Sequence, residues 1–397
     1  MTRNNNYLLP LVFIGLMFFT VGFALGINSY LVPLLQSTLA VSSGQSYLII
    51  AATFSAFLIF SYPSARIIRR VGYRRTMALS FVIFAAGFLL FVPSARMGSL
   101  GLFLLASFVC GIGNTVLQAA INPYITILGP IESAARRISI MGICNKLAWP
   151  VAPIFLAAVI GKEVSDAVLT DIDLPFYIIV GIFLCLGVLM LFAPLEEIKA
   201  AGEADAADCP YAAGKTSLWQ FPHLVLGAVA LFLYVGVETL ALATTVDYAA
   251  SLGLPDPQDY AVWPSIGLVI GYVAGILLIP KYVSQAAALR ICCWIAVAGT
   301  LLIVSTPPEV SVWSVSLIAL ACSLIWPAIW PLAMTDLGRF TKAGGSLLVA
   351  SIVGGAVIPL AFGFLKDAVG NQQAYWICLP CYLFILYYAY FGYKIRH

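Results

Sequence analysis

Apolar residues occur along this chain in long runs, each ended by a short polar cluster or by glycine and proline. A run of about 20 residues, rising 1.5 Å per residue as a helix, crosses the hydrocarbon layer of a bilayer. This pattern predicts helices over 8–39, 46–68, 76–95, 99–129, 137–160, 174–195, 217–250, 258–280, 286–305, 309–337, 344–365 and 373–393. The longest interruption, 196–216, is charged and rich in small residues, as a solvated linker would be. The expected fold is therefore an all-α integral membrane protein with twelve transmembrane helices in two six-helix halves. The first half is 1–195, the cytoplasmic linker 196–216 and the second half 217–397.

The start of the chain, with Arg3 ahead of an apolar run, has the look of a signal peptide. The run continues to about Leu39 without a small-residue cleavage pattern and a following soluble domain, so it reads as the first span.

Composition narrows the picture. Hydrophobic residues make up 62% of the 397 positions and charged residues 9%. Soluble domains carry roughly 25% charged residues, so no separate soluble domain is expected. The net charge of +3 comes from scattered basic residues, which argues against nucleic acid as a partner. Most of the nine cysteines fall inside apolar runs, where a thiol is a small core residue. Cys378 and Cys381 form a C-x-x-C, but in an apolar helix without the context of a redox or metal motif. No cofactor or metal is expected.

With the N-terminus placed inside, sixteen Lys and Arg residues fall on the cytoplasmic side, including Arg66, Arg69, Arg70, Arg74, Arg75, Arg136 and Arg137. Only Arg96, Lys162 and Lys366 fall outside, and Lys146 lies within a helix. This positive-inside bias puts both termini in the cytoplasm. A weak repeat links the halves. Ala120-Ile-Asn-Pro123 is echoed by Ala328-Ile-Trp-Pro331 at an offset of 208, and Pro150 by Pro359 at 209. Parallel repeats of this kind place a binding site near mid-membrane.

A charge near mid-bilayer costs roughly 2.5–3.5 kcal/mol even on mild insertion scales, so the few polar residues within spans need a reason. Lys146 lies about ten residues into the fifth span, roughly 15 Å deep, and Glu238 is comparably deep in the seventh. Asn28, Ser29 and Tyr30 lie in the first span, Gln118 and Asn122 in the fourth, and Asn145 beside Lys146. One reading has these groups pairing within the bundle and satisfying helix breaks. The other has them lining an aqueous cavity for a polyhydroxylated solute. Trp326 and Trp330, four apart in the tenth span, share a face that either packs or offers aromatic planes to a sugar ring. Gly22/Gly26 and Gly271/Gly275 have the spacing that lets helices cross closely.

Several segments resemble the major facilitator superfamily, in particular its fucose/galactose/glucose branch of bacterial sugar porters, over most of the chain. They are Asn28 to Pro33, Leu117 to Pro130 with its Ala-Ile-Asn-Pro, Phe232 to Glu238, Trp326 to Trp330, Asp336 to Arg339, Thr341-Lys342 and Gly354-Gly355. Ser64 to Arg75 is similar to the superfamily's loop between helices two and three, without its usual Asp. The resemblance implies a monomeric symporter in the inner membrane of a bacterium, importing a monosaccharide with a proton or sodium ion. Where the proton-coupled pattern has an Asp in helix one and a Glu in helix four, this chain has Ser29 and Gln118. Gly142 stands in place of a Gln, while Asn145 matches a sugar-binding Asn. Coupling through the first half is thus in question, and Glu238, which matches a Glu of glucose/galactose-type members, is the candidate to carry it, with Lys146 as charge partner.

The expected substrate site is Asn28, Ser29, Tyr30, Gln118, Asn122, Asn145, Lys146, Trp326 and Trp330, with Glu238 and Lys146 for ion coupling. An alternative substrate is an anionic or N-acetylated sugar, a sialic or muramic acid derivative, held by Lys146. A membrane enzyme would need clustered acids or histidines, and only His223 and His397 exist. A sensor that binds sugar without moving it is the alternative of another class.

Overall fold

The computed structural model describes residues 8–39, 43–161, 167–198, 209–255, 259–260 and 262–396. Fifteen α-helices follow in chain order: α1 Leu8–Leu39, α2 Ser43–Arg96, α3 Leu100–Ile127, α4 Ala134–Ile160, α5 Asp173–Phe192, α6 Pro210–Ala213, α7 Pro222–Ala243, α8 Thr245–Ser251, α9 Val262–Leu278, α10 Gln285–Ser305, α11 Pro308–Met334, α12 Thr341–Ala350, α13 Gly354–Val369, α14 Asn371–Ala374 and α15 Cys378–Tyr390. No strand occurs among the described residues. Ten segments among them are long and apolar enough to span a membrane. One of these, Leu48–Arg96, is broken at Gly72 and so supplies two crossings, and Val262–Leu278 is a shorter apolar helix. These account for the twelve expected spans.

The chain forms two compact units, Met1–Ile125 with Cys144–Ile198, and Thr126–Ile143 with Lys199–His397. In the first unit, Phe84, Phe88 and Phe91 recur at helical spacing along α2 and meet α5. Ring centroids are 5.2 Å apart for Phe84 and Phe183, 5.1 Å for Phe88 and Phe183, and 5.1 Å for Phe91 and Phe176. Arg96 at the end of α2 donates from Nε to the Asp173 carboxylate at the start of α5, at 2.8 Å.

The break in α2 has a local cause. Gly72 has φ 83° and ψ 175°, a conformation open essentially to glycine alone. The helix that resumes after it begins with exposed backbone donors, and the Glu197 carboxylate accepts from Tyr73 N at 2.9 Å and Arg74 N at 3.1 Å. An anion at a helix N-terminus also meets the favourable end of the dipole. Tyr124 fastens the same corner, donating from its hydroxyl to Glu196 O at 3.1 Å and setting its ring edge-on to Tyr73. The stretch expected as a solvated linker is therefore docked at this end. At its other end Tyr211 packs on Phe221, with ring centroids 5.7 Å apart. Positions 199–208 lie outside the described residues.

In the second unit the turn from α3 into α4 is braced by Arg137, which donates to Thr126 O at 3.1 Å, Pro130 O at 3.0 Å and Ser133 Oγ at 2.6 Å. Gln285 reaches the same turn, accepting from Ala135 N at 2.8 Å and donating to Ile131 O at 3.1 Å. The span expected over 217–250 is divided at Thr244 into α7 and α8. The Thr244 hydroxyl donates to Leu240 O at 2.7 Å and lies 2.7 Å from the Tyr375 hydroxyl. The span expected over 344–365 is likewise divided, by a 3-10 turn at Ser351–Val353. At the start of α13 a β-carbon on Gly354 would fall 2.7 Å from the Phe232 carbonyl carbon, so only glycine lets α13 approach the α7 backbone this closely.

Candidate functional site

Each unit carries its own polar cluster. In the first unit, α3 presents Asn114, Gln118 and Asn122 at four-residue spacing, on one face. All three are buried. Gln118 Nε2 donates to Asn114 Oδ1 at 3.0 Å, and Asn122 Nδ2 to Gln118 Oε1 at 3.4 Å. Three amides thus satisfy one another in a ladder, as buried polar groups must. Asn114 also lines a small cavity with Ala24, Ile27, Thr53, Phe84 and Cys110. It was missing from the expected site, although its spacing from Gln118 and Asn122 was a usable signal.

On α4, Asn145 donates from Nδ2 to Phe18 O at 3.1 Å, which ties α4 to α1. The same crossing is close because α1 carries glycines there. A β-carbon at Gly22 would meet the Asn145 carbonyl oxygen, and one at Gly26 would fall 3.0 Å from the Ala152 β-carbon. Lys146 is half-buried twelve residues into α4, roughly 18 Å from its start. Asn28, Ser29 and Tyr30 lie in α1, but their side chains are outside the described residues.

In the second unit the polar group is Glu238, half-buried on α7 with its Oε1 inaccessible to solvent. One turn earlier on the same face is Tyr234, fully buried, its ring 6.2 Å from that of Trp326. Trp326 continues to Trp330 at 5.6 Å. Trp330 is at 0% exposure, and its indole N–H has no acceptor among the described residues. Tyr272 of α9 is a further buried phenol of this unit, and the Tyr234 hydroxyl is buried without a hydrogen-bond partner among the described residues. Neither tyrosine stood out in the sequence, because a tyrosine in an apolar span carries no signal of its own. The second unit therefore offers a carboxylate one helical turn from a buried phenol that packs on a pair of indoles, while the first offers neutral amides and a half-buried ammonium.

The Major Facilitator Superfamily model matches residues 14–347. This chain belongs to that superfamily. It is 32% identical to the glucose/galactose transporter of Brucella abortus over 99% of this chain and 96% of that protein. Identity to the L-fucose-proton symporter of Escherichia coli K12 is 25%, over 98% of this chain and 94% of the symporter. Among solved structures, the superfamily transporter FucP in its outward conformation superposes with a TM-score of 0.83 at 24% identity, covering 97% of this chain and 99% of FucP. The all-α, twelve-span architecture expected of the superfamily is the one observed.

Proposed function

We infer that this superfamily member is a secondary active transporter that imports a monosaccharide by alternating access. The observation that carries the reading is the nearly full-length likeness to a glucose/galactose transporter, supported by a second, more distant likeness to a fucose symporter. The chemistry of the two clusters agrees with it. Hydroxyl-rich solutes are bound by neutral amides and by aromatic planes, and both are present within the spans. Gln118, Asn122 and Asn145 are the amides assigned to the sugar, with Asn28, Ser29 and Tyr30, while Trp326 and Trp330 supply the aromatic side and Lys146 serves the anionic alternative.

Glu238 is the coupling group of this reading. Among the described residues it is the acidic one embedded in a spanning helix away from the helix ends, and such a residue marks an ion path more often than a packing contact. The coupling ion is a proton or a sodium ion. The protein works as a monomer in the cytoplasmic membrane with both termini inside, in keeping with the distribution of its basic residues. One observation favours an anionic or N-acetylated sugar instead of a neutral hexose: Lys146 puts an ammonium roughly 18 Å into a spanning helix, where a neutral hexose has no use for it.

The test is uptake of a radiolabelled panel, from glucose, galactose and fucose to sialic acid, into proteoliposomes under separately imposed proton and sodium gradients. Accumulation of a neutral hexose under one gradient supports the main reading. Accumulation of the anionic sugar alone supports the second, and saturable binding with no flux makes the protein a sensor.

A further inference from the structure

The first unit turns a corner at Gly72, and the residues on either side of it are basic. Arg66, Arg69 and Arg70 close the helical stretch before the glycine, and Arg74 and Arg75 open the one after it. Arg66, Arg69, Arg70 and Arg75 are exposed. Among the described residues, none of these four pairs with a carboxylate. The acids that reach the corner are Glu196 and Glu197, and the Glu197 carboxylate accepts from the Tyr73 and Arg74 amides. Five arginines against two carboxylates leave the corner positive.

Both stretches of α2 carry the same kind of stripe away from this corner. Ile59, Tyr62, Arg66 and Arg70 follow one another three or four residues apart and so share a face. Arg75, Leu79, Val82, Ala86 and Leu89 do the same on the other side of the break. All nine are exposed. Each stripe is apolar along the span and basic at its end, which is the profile of a phospholipid read from acyl chain to phosphate. Basic residues that serve only to orient a chain need no such register with an apolar face. Arg66 is also set in place. Its guanidinium lies 4.6 Å from the centre of the Tyr62 ring and donates from Nη2 to the Tyr62 hydroxyl at 3.1 Å. The other N–H groups of its planar fork stay available to a phosphate.

We propose that the corner at Gly72 holds the headgroup of an anionic phospholipid of the adjoining leaflet, its phosphate on Arg66, Arg69, Arg70 and Arg75 and its chains along the exposed stripes of α2. The excess of arginine selects a lipid with net negative charge over a zwitterionic one. Arginine-to-phosphate contacts are charge-assisted and two-pronged, so the site distinguishes a phosphate from diffuse negative charge. The site is independent of which sugar is carried.

The experiment titrates the delipidated full chain in detergent with phosphatidylglycerol or with phosphatidylcholine of the same acyl chains, and counts bound lipid by native mass spectrometry. The parent is compared with an Arg66→Gln/Arg69→Gln/Arg70→Gln variant and with an Arg136→Gln/Lys281→Gln/Lys394→Gln variant, which loses three exposed basic residues elsewhere. The parent is expected to take up phosphatidylglycerol in preference to phosphatidylcholine. Each arginine near an anionic headgroup is worth roughly fivefold in affinity, so the corner variant should need more than about tenfold more phosphatidylglycerol for half-saturation. The second variant should stay within about twofold of the parent. Equal binding of the two lipids by the parent overturns the proposal, as does unchanged phosphatidylglycerol binding by the corner variant. Equal loss in both variants reduces the effect to general surface charge and overturns it too. If the corner variant does not fold, Arg69→Gln and Arg70→Gln made singly, each expected to lose about fivefold, decide in its place.

Discussion

Gly22 of α1 lies so close to Asn145 of α4 that a β-carbon there would fall 2.9 Å from the Asn145 carbonyl carbon and 3.1 Å from the Ala148 β-carbon. The Asn145 side chain crosses the same seam to Phe18 O. A glycine pair and an amide together fix one helix on the other. Gly22→Ala should cost about 1–3 kcal/mol, as overpacking against backbone does, and lower the unfolding temperature of the detergent-purified protein. An unchanged transition would show that α1 shifts at no cost.

Gly72 and Glu197 form a second obligate pair. A β-carbon at Gly72 would fall 2.6 Å from Glu197 Cδ, and the backbone there has φ 83°. Gly72→Ala is expected to destabilise by about 1–3 kcal/mol through its backbone conformation alone. Glu197→Ala should cost only about 1 kcal/mol, the typical value of a lost cap. Unfolding of both variants measured side by side gives the order, and a larger loss for Glu197→Ala contradicts it.

The amide ladder of α3 predicts a different kind of loss. Gln118→Ala takes the donor from Asn114 Oδ1 and an acceptor from Asn122 Nδ2 inside a buried face. A buried polar group left unsatisfied costs about 1–3 kcal/mol. Counterflow of the transported sugar should also require a higher concentration for half-saturation in this variant. A destabilised variant with unaltered half-saturation would keep the ladder as structure and remove it from the sugar site.

In the second unit the Tyr248 hydroxyl is hydrogen-bonded to Ser311 Oγ, and Ser311 itself donates to Ile303 O at 2.7 Å. The serine proton is thereby committed, so Tyr248 is the donor of the pair. Ser311→Ala strands the phenol and should cost about 1–3 kcal/mol, whereas Ser311→Ala combined with Tyr248→Phe should recover most of it. The double-variant cycle is read by thermal unfolding, and simple additivity would mean the bond contributes nothing.

For transport, Glu238→Gln should abolish accumulation against a gradient while leaving counterflow intact. Lys146→Ala should leave uptake of a neutral hexose near the parent level and abolish uptake of an anionic sugar. Radiotracer flux on the same preparations tests both, and normal transport of every sugar by Lys146→Ala takes the lysine out of the mechanism.

Much of the fold was legible because the bilayer is a severe filter. Twelve apolar runs leave few alternatives, and the run boundaries match the helix ends to within a few residues, with internal breaks at Thr244, at the 3-10 turn Ser351–Val353 and at the 3-10 turn Tyr375–Ile377. Thr244 divides one span by a contact with Tyr375, 131 positions away, which no local pattern records. The site was legible only where a residue was costly to place. Glu238 and Lys146 are conspicuous as charges, and Gln118 and Asn122 as amides. Tyr234, Tyr272 and Gly142 are ordinary members of apolar helices, and the contacts of Tyr234 with Trp326 and of Gly142 with Tyr272 arise from packing. Glu197 is exposed to solvent, as its acidic, small-residue surroundings suggest, but its carboxylate also accepts from two backbone amides, which no local pattern records.

That carboxylate comes from 124 residues downstream of the Tyr73 amide it serves. Chains emerge from the ribosome N-terminus first. The helix that resumes after Gly72 must therefore be made, and start to settle, long before its cap is translated. A chain released after Pro194 would contain all six apolar runs of the first half and still lack the residue that finishes its third. The cap is thus the last part of this half to be made, and a truncation series stopping at 194 and at 198, compared by resistance to protease, reads what it adds.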